Sequence, residues 1–187
     1  MAFYPDERIA IFIDGANLYS TMKLLNFDID FKAMLAFFQG KSRVIKANYY
    51  TALLEDAEFS PIRPLIDWLD YNGYHVISKP ARQQTDRDGR ARIKGNMDIE
   101  IAVDMISLAP HVEHMVLFSG DGDFAPALKA VQDKGVRVTV VSTMKARQPV
   151  LGDALRRQAD DFMELAEMDK LIGRPRREYV QYEDDSE

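Results

Sequence analysis

The feature that most constrains the fold of this sequence is a regular alternation between short apolar runs and longer stretches of helix length. The runs have the length and the β-branched and aromatic composition of strands: Arg8 to Ile13, Val44 to Tyr50, Tyr74 to Ser78, Met115 to Phe118 and Val136 to Val141. Their continuous hydrophobicity indicates strands that are covered on both faces. The alternation therefore predicts an α/β fold with a doubly wound, mainly parallel sheet.

The segments between these runs are long enough for helices. We predict helices at Asn17 to Leu25, Phe31 to Phe38, Pro61 to Tyr71, Met97 to Leu108 and Phe124 to Lys134. Two of them end at a glycine, Gly73 and Gly135, where a left-handed residue is wanted. After the last clear strand we predict a helix over Pro149 to Gln158 and a short edge strand over Phe162 to Leu165.

A chain of 187 residues with 47% hydrophobic residues has the size and the apolar material for a single domain. We place this domain at residues 1–172. Residues 173–187 begin with basic side chains and end with acidic ones, a pattern that is typical of a mobile charged tail.

Composition also excludes several kinds of chemistry. The chain has no cysteine, which rules out disulfides, cysteine-ligated zinc, iron–sulfur clusters and thiol catalysis, and which suits a reducing compartment. It lacks a basic signal-peptide start and any run of the ~20 apolar residues that a membrane span requires. We therefore predict a cytoplasmic protein without a membrane partner. The net charge of −6 argues weakly against nucleic-acid binding, but cations bound by clustered carboxylates would offset it.

Acidic residues follow two of the predicted strands directly. Asp14 ends the first strand, and Ser119 is followed by Asp121 and Asp123 in the sequence SGDGD. In open parallel sheets ligands bind beyond the carboxyl ends of the strands, and Mg²⁺ and Mn²⁺ prefer carboxylate ligands. The intervening glycines allow a tight turn that presents both carboxylates. The alternative is structural: Asp14 caps a strand tip and Asp123 caps the following helix.

A third acidic group lies in the predicted helix that starts near Met97. Asp98 falls in its first turn, whereas Asp104 lies about 120° away around the helix axis. Asp98 is therefore the better candidate ligand. Glu100 and Asp104 share a face, which is also consistent with a solvated stripe, or with Asp104 as the partner of a nearby Arg or Lys.

The segment from Lys79 to Lys94 is rich in basic residues and precedes the acidic helix. Its composition suits a flexible loop that binds a phosphate backbone, with Arg87, Arg90, Arg92 and Lys94 as the contacts. The alternative is a solvated hairpin or loop.

Other side chains are assigned to packing. His111 and His114 flank a predicted turn and lack the spacing of a zinc site, and Trp68 and the Phe37-Phe38 pair fall at helical core positions. Gly120 to Ala125 matches the pattern GxGxxA, but two carboxylates stand where a dinucleotide needs backbone amides. An aspartyl phosphatase would need a second acid at Ala16.

Three linked motifs carry a family resemblance. IDGAN at 13–17, KGNMDIEIAVDM at 94–105 and FSGDGDFAPAL at 118–128 resemble the NYN family of PIN-like ribonucleases, including its bacterial LabA-like branch, over Arg8 to Leu165. The resemblance implies a PIN-like three-layer α/β sandwich. It also implies a metal site formed by Asp14, Asp98, Asp121 and Asp123, supported by Asn17, Ser119 and Asp104.

On this basis we predict a metal-dependent endoribonuclease that uses Mg²⁺ or Mn²⁺ to hydrolyse single-stranded or loop RNA. The alternative is a non-catalytic RNA-binding or regulatory protein on the same scaffold. The sequence leaves the oligomeric state open, a homo-oligomer included.

Overall fold

A computed structural model describes residues 3–54, 62–85 and 91–174. Within these ranges one sheet contains seven strands: β1 (Arg8–Asp14), β2 (Arg43–Leu54), β3 (His75–Thr85), β4 (Ala91–Lys94), β5 (His114–Phe118), β6 (Arg137–Ser142) and β7 (Asp161–Glu164). Their spatial order is β4-β3-β2-β1-β5-β6-β7. Six of these strands are parallel, and β4 alone pairs antiparallel, with β3.

Helices cover both faces of the sheet. In the described residues they are α1 (Gly15–Leu25), α2 (Phe31–Gln39), α3 (Arg63–Tyr71), α4 (Asp98–Leu108), α5 (Ala125–Gln132), α6 (Asp153–Gln158) and α7 (Asp169–Ile172). Side chains of α1, α2, α3 and α7 enter one core cluster, and those of α4, α5 and α6 enter the other. The predicted α/β three-layer sandwich, a single domain with a central, mainly parallel sheet, is thus confirmed.

Strand β1 shows why its apolar run is continuous. Ile9, Ile11 and Ile13 enter the first core and Ala10 and Phe12 enter the second, and all five are fully buried. Successive side chains of a strand point to opposite faces, so a central strand needs an apolar residue at every position.

The structure changes several predicted boundaries. β3 continues to Thr85 and β4 follows from Ala91, so the segment predicted as a flexible loop contains the two arms of an antiparallel pair. The pairing of β3 with β2 extends to Ala81, which carries β3 beyond the apolar run visible in the sequence. α6 starts at Asp153 rather than Pro149, and a short 3-10 helix over Gly122–Phe124 precedes α5.

The predicted left-handed glycines after two helices are confirmed. Gly73 and Gly135 have φ values of +89° and +86°, in the left-handed region that favours glycine.

One packing prediction is wrong. Trp68 is 36% exposed on α3, whereas Phe38 is buried as predicted and Phe37 is partly buried. His111 ends a short 3-10 helix and His114 begins β5, so the two flank the connection between these elements, and His114 is 0% exposed.

Among the described residues, no helix is long and apolar enough to cross a membrane.

Candidate active site at the carboxyl edge of the sheet

The strand order reverses between β1 and β5, and the first acidic motif lies at this point. β1 leads outward to β2 and β3, whereas β5 leads to β6 and β7 on the other side. Ile13 pairs with Phe118. Asp14 and Ser119 each follow one of these residues in the chain, so they lie side by side at the end of the two strands. Ligands of doubly wound sheets bind at this switch point.

Asp14 is nearly buried there, with 9% of its surface exposed. Asp14 Oδ1 accepts a hydrogen bond from the Asn17 amide over 3.1 Å, so the Asp14 side chain caps α1. The Ser119 hydroxyl donates to Asp14 Oδ2 over 3.1 Å. Both carboxylate oxygens therefore have a fixed local donor.

Asn17 and Ser119 also hold the turn that follows β5. The Gly120 amide donates to Asn17 Oδ1 over 3.0 Å, and the Asp121 amide donates to Ser119 Oγ over 3.2 Å. The two predicted supporting residues thus connect the start of α1 with residues 119–121.

A 3-10 helix follows this turn, with Asp121 as its N-cap and Asp123 within it. Asp121 Oδ1 accepts from the Asp123 amide over 2.9 Å and caps the 3-10 helix. Asp121 is half-buried and Asp123 is exposed. The alternative in which Asp123 caps the following helix is wrong, because the N-cap residue of α5 is Phe124 and no side chain caps that helix.

Close packing rather than a left-handed turn explains Gly120. Among the described residues, positive φ occurs at neither Gly120 nor Gly122. A Cβ on Gly120 would lie 2.3 Å from the Val150 carbonyl oxygen and 2.8 Å from Ser142 Oγ. The Gly152 amide donates to the Gly120 carbonyl over 2.8 Å, which draws the two segments together.

Asp98 is the first residue of α4 and is half-buried. Its side chain accepts a hydrogen bond from Asn96 Nδ2, and its amide donates to Asn96 Oδ1 over 2.7 Å. The Asn96 side chain thus sets the position of Asp98 at the start of the helix.

The four aspartates form a mutually repelling cluster. Burial raises the pKa of Asp14, and the negative charges of Asp98 and Asp121 raise it further against the hydrogen bonds from Asn17 and Ser119. Burial likewise raises the pKa of Asp98, with Asp121 and Asp123 adding to the shift and Asn96 and Lys79 opposing it. A divalent cation would relieve this repulsion.

Tyr49 is a neighbour of the cluster that the sequence did not reveal. It pairs with Ile13 in the sheet, and burial together with the charge of Asp14 raises its pKa to about 12. Atoms of its ring and of the Tyr50 backbone would lie 2.6–2.9 Å from a Cβ on Gly15, so glycine is required at this position of the IDGAN motif.

The donor chemistry of the cluster fits Mg²⁺ or Mn²⁺, but the carboxylates are not arranged around an ion. Within the described ranges, no three acidic or histidine side chains are placed to hold a metal ion together. Asp98 and Asp121 are turned toward Asn96 and the Asp123 amide. These hydrogen bonds engage one oxygen of each carboxylate, and a carboxylate offers two oxygens as acceptors.

Asp104 lies on a different face of α4, as the helical spacing predicted. Its Oδ2 accepts from the Tyr50 hydroxyl over 2.8 Å, and that hydroxyl accepts from Asn48 Nδ2 over 2.9 Å. The partner of Asp104 is thus a tyrosine of β2 rather than an Arg or Lys. This contact fastens α4 to the sheet.

The predicted phosphate contacts are only partly described. Arg87 and Arg90 lie outside the described residues, whereas Arg92 and Lys94 belong to β4. The backbone of Lys94 pairs with that of Arg82. Lys94 lies four residues before Asp98 in the chain. Strand β4 is therefore followed closely by helix α4, which begins at Asp98.

An open, mainly parallel α/β sheet with helices on both faces defines the Rossmann-like class of fold, and here a carboxylate cluster lies at its switch point. The NYN domain model matches residues 8–166, and the chain therefore belongs to the NYN domain family, whose fold is that of PIN-like nucleases. NYN and PIN-like nucleases generally use divalent metal ions.

Relatives place the chain in the LabA-like bacterial branch of this family. It is 33% identical over 183 residues to the low amplitude and bright protein LabA of Synechococcus elongatus, covering 95% of this chain and 93% of that protein. It is 26% identical over 165 residues to an uncharacterized protein of Methanocaldococcus jannaschii, MJ0482, covering 87% of this chain and 57% of that protein.

A solved structure has the same fold. The crystal structure of VPA0982 from Vibrio parahaemolyticus, a protein of unknown function, is similar with a TM-score of 0.72 and 28% identity. The match covers 93% of this chain and all of that one.

Proposed function

We propose that the protein is a metal-dependent endoribonuclease that acts on single-stranded or loop RNA. The observation that carries this proposal is the position of Asp14. It is nine-tenths buried at the switch point of the sheet, within the electrostatic field of Asp98 and Asp121. A buried carboxylate with acidic neighbours is costly for the fold unless a cation offsets the charge.

In this proposal Asp14, Asp98 and Asp121 hold one or two Mg²⁺ or Mn²⁺ ions, and Asp123 completes the site or orients a water. When bound, the cation supplies Lewis acidity for the hydrolysis of a phosphodiester, which yields a 5′-phosphate and a 3′-hydroxyl. Asn17 and Ser119 keep Asp14 in place through the hydrogen bonds described above.

Basic side chains of residues 87–94 supply the substrate contacts in this proposal. We assign contacts with the phosphate backbone of the RNA to Lys94, Arg87, Arg90 and Arg92, because these residues precede Asp98 in the chain. Each such contact adds salt-dependent affinity. This assignment makes binding independent of base sequence.

Cleavage of a fluorescent single-stranded RNA with Mn²⁺, and with EDTA instead, tests the proposal. Asp14→Asn removes a charge and almost no volume, so we expect the fold to persist and cleavage to fall by about 100-fold or more. Asp133→Asn, an exposed carboxylate paired with Lys129, is the matched control and should cleave like the wild type. Wild-type turnover in Asp14→Asn would exclude the site.

A non-catalytic RNA-binding or regulatory protein is the second candidate. It is favoured by the placement of the acidic side chains, because among the described residues no three are positioned to hold a metal ion together. In that case the wild type binds the same RNA with equal affinity in Mn²⁺ and EDTA and leaves it intact.

A further inference from the structure

We propose that Lys79 is a phosphate-binding residue at the border of the acidic cluster, and that Glu100 weakens RNA binding by neutralising it. This inference rests on the proposed function and adds a substrate contact to it.

The sheet register places Lys79 at the same edge as the aspartates. Asp14 pairs with Tyr50, and Tyr50 pairs with Ile77. Lys79 lies two residues further along β3, and so on the same sheet face as Ile77, which packs in the core beneath α4. Lys79 thus projects past the end of β1 on the side where α4 presents Asp98.

The contact with Glu100 fixes the ammonium group in this position. Lys79 Nζ donates to Glu100 Oε1 over 2.8 Å and to Oε2 over 2.9 Å. Both side chains are about one-third exposed, at 34% and 35%. An ammonium has three N–H donors, so one donor remains for a ligand.

The location of Lys79 suits a substrate contact better than a purely structural tie. Its charge reaches Asp98, whose pKa it lowers against the effect of burial and of the other aspartates. A single-stranded RNA with one phosphate near the aspartates is repelled by their negative charges. The positive charge of Lys79 beside the aspartates offsets that repulsion. Glu100 reduces this benefit without removing it, because it pairs with the same ammonium.

The experiment compares binding of a fluorescein-labelled single-stranded RNA in EDTA by the full chain and its variants. Glu100→Gln should tighten binding by up to about fivefold, which is the worth of an exposed ion pair. Lys79→Ala should weaken binding and reduce the salt slope by ~0.7, as for one lost contact to a single strand. Lys79→Arg should retain the slope.

The double variant separates release of Lys79 from a general change of charge. In a Lys79→Ala background, Glu100→Gln should have no further effect on affinity. If Glu100→Gln tightens binding equally in both backgrounds, only the net charge matters and the assignment of Lys79 is wrong. Melting temperatures identify any variant that loses the fold, and Lys79→Arg then carries the test through its salt slope.

Lys129→Ala with Asp133→Asn provides the matched control, since this exposed pair joins Nζ to Oδ1 over 2.9 Å at the far end of α5. Its affinity should equal that of the wild type. If the wild type cleaves RNA but Lys79→Ala keeps the wild-type salt slope, only this inference is overturned. If the wild type neither binds nor cleaves RNA, the proposed function is overturned with it.

Discussion

At the scale of single residues, burial shifts the pKa of Asp14 and His114 in opposite directions, because it disfavours the charged form of both. The pKa of Asp14 is raised, and that of His114 is lowered to about 4 by burial and by the charge of Arg137. Arg137 lies 3.3 Å from His114 Nδ1, and Thr139 Oγ1 lies 2.8 Å from Nε2. With Arg137 donating to Nδ1, the neutral ring donates to Thr139 through Nε2.

His114 makes a prediction about pH and stability. Its pKa is about 4 in the folded protein and about 6.5 in the unfolded chain. Between these values the unfolded chain binds the additional proton, so stability is full above pH 6.5 and falls as the pH is lowered toward 4. The whole shift corresponds to a loss of about 3 kcal/mol.

Urea denaturation of the wild type and of His114→Gln from pH 7 to pH 5 measures this effect. As the pH falls, the free energy of unfolding of the wild type should decrease more than that of His114→Gln, because only the wild type carries the buried imidazole. Glu113, whose pKa is lowered to about 2 by Arg8, acts mainly below this range. Parallel pH curves would show that His114 is not responsible.

At the scale of elements, α4 combines two functions on two faces. Its first residue, Asp98, belongs to the acidic cluster, and Asp104 accepts the Tyr50 hydroxyl and holds the helix against β2. The helical spacing thus places Asp98 in the acidic cluster and Asp104 on another face, where it holds the helix against the sheet.

This separation predicts different effects for the two substitutions. Asp98→Asn should abolish Mn²⁺-dependent cleavage with little change in stability. Asp104→Asn should retain most of the activity and lower the free energy of unfolding by about 1–2 kcal/mol, because a charged hydrogen bond to Tyr50 becomes a neutral one. Activity assays and denaturation of both variants check this, and equal loss of activity would contradict the assignment of the two faces.

At the scale of the whole molecule, the sheet brings together carboxylates that are distant in sequence. Asp14 and Asp121 are separated by 107 positions, yet β1 and β5 are neighbours and the charges interact. The repulsion between them opposes folding of the metal-free protein.

The melting temperature should therefore respond to Mn²⁺. A cation that binds only the folded state adds RT ln(1 + [L]/Kd), about 2.7 kcal/mol at a hundredfold excess over Kd. A double variant with Asp121→Asn and Asp123→Asn should begin at least as stable as the wild type and gain little from Mn²⁺. The two titration curves should cross.

The outcome opposed to this prediction is a double variant that is less stable without metal and responds to Mn²⁺ as the wild type does. Asp121 and Asp123 would then serve the 3-10 helix alone.

Much of the fold could be predicted because its signals are local. A central strand that is buried on both faces must be apolar at every position, as β1 is, and a helix end that requires a left-handed residue selects glycine, as at Gly73 and Gly135. The motifs around Asp14 and Asp121 were visible for the same reason, since each follows its strand directly.

Contacts between distant segments could not be predicted in this way. Nothing near Asp104 in the chain indicates Tyr50 as its partner, and nothing near Glu100 indicates Lys79. The burial of His114 likewise depends on distant residues, because Phe3 stacks on its ring and Thr139 forms a hydrogen bond with Nε2.

By itself the sequence determined the class of fold, the two layers of helices and the strand ends at which the aspartates lie, because periodicity and turn chemistry are properties of neighbouring residues. Only the tertiary structure decided that Gly120 must lack a side chain to admit Val150, that β3 and β4 pair, and that Asp104 accepts a hydrogen bond from Tyr50. These features depend on the distances between segments that only the packed sheet and its helices bring together.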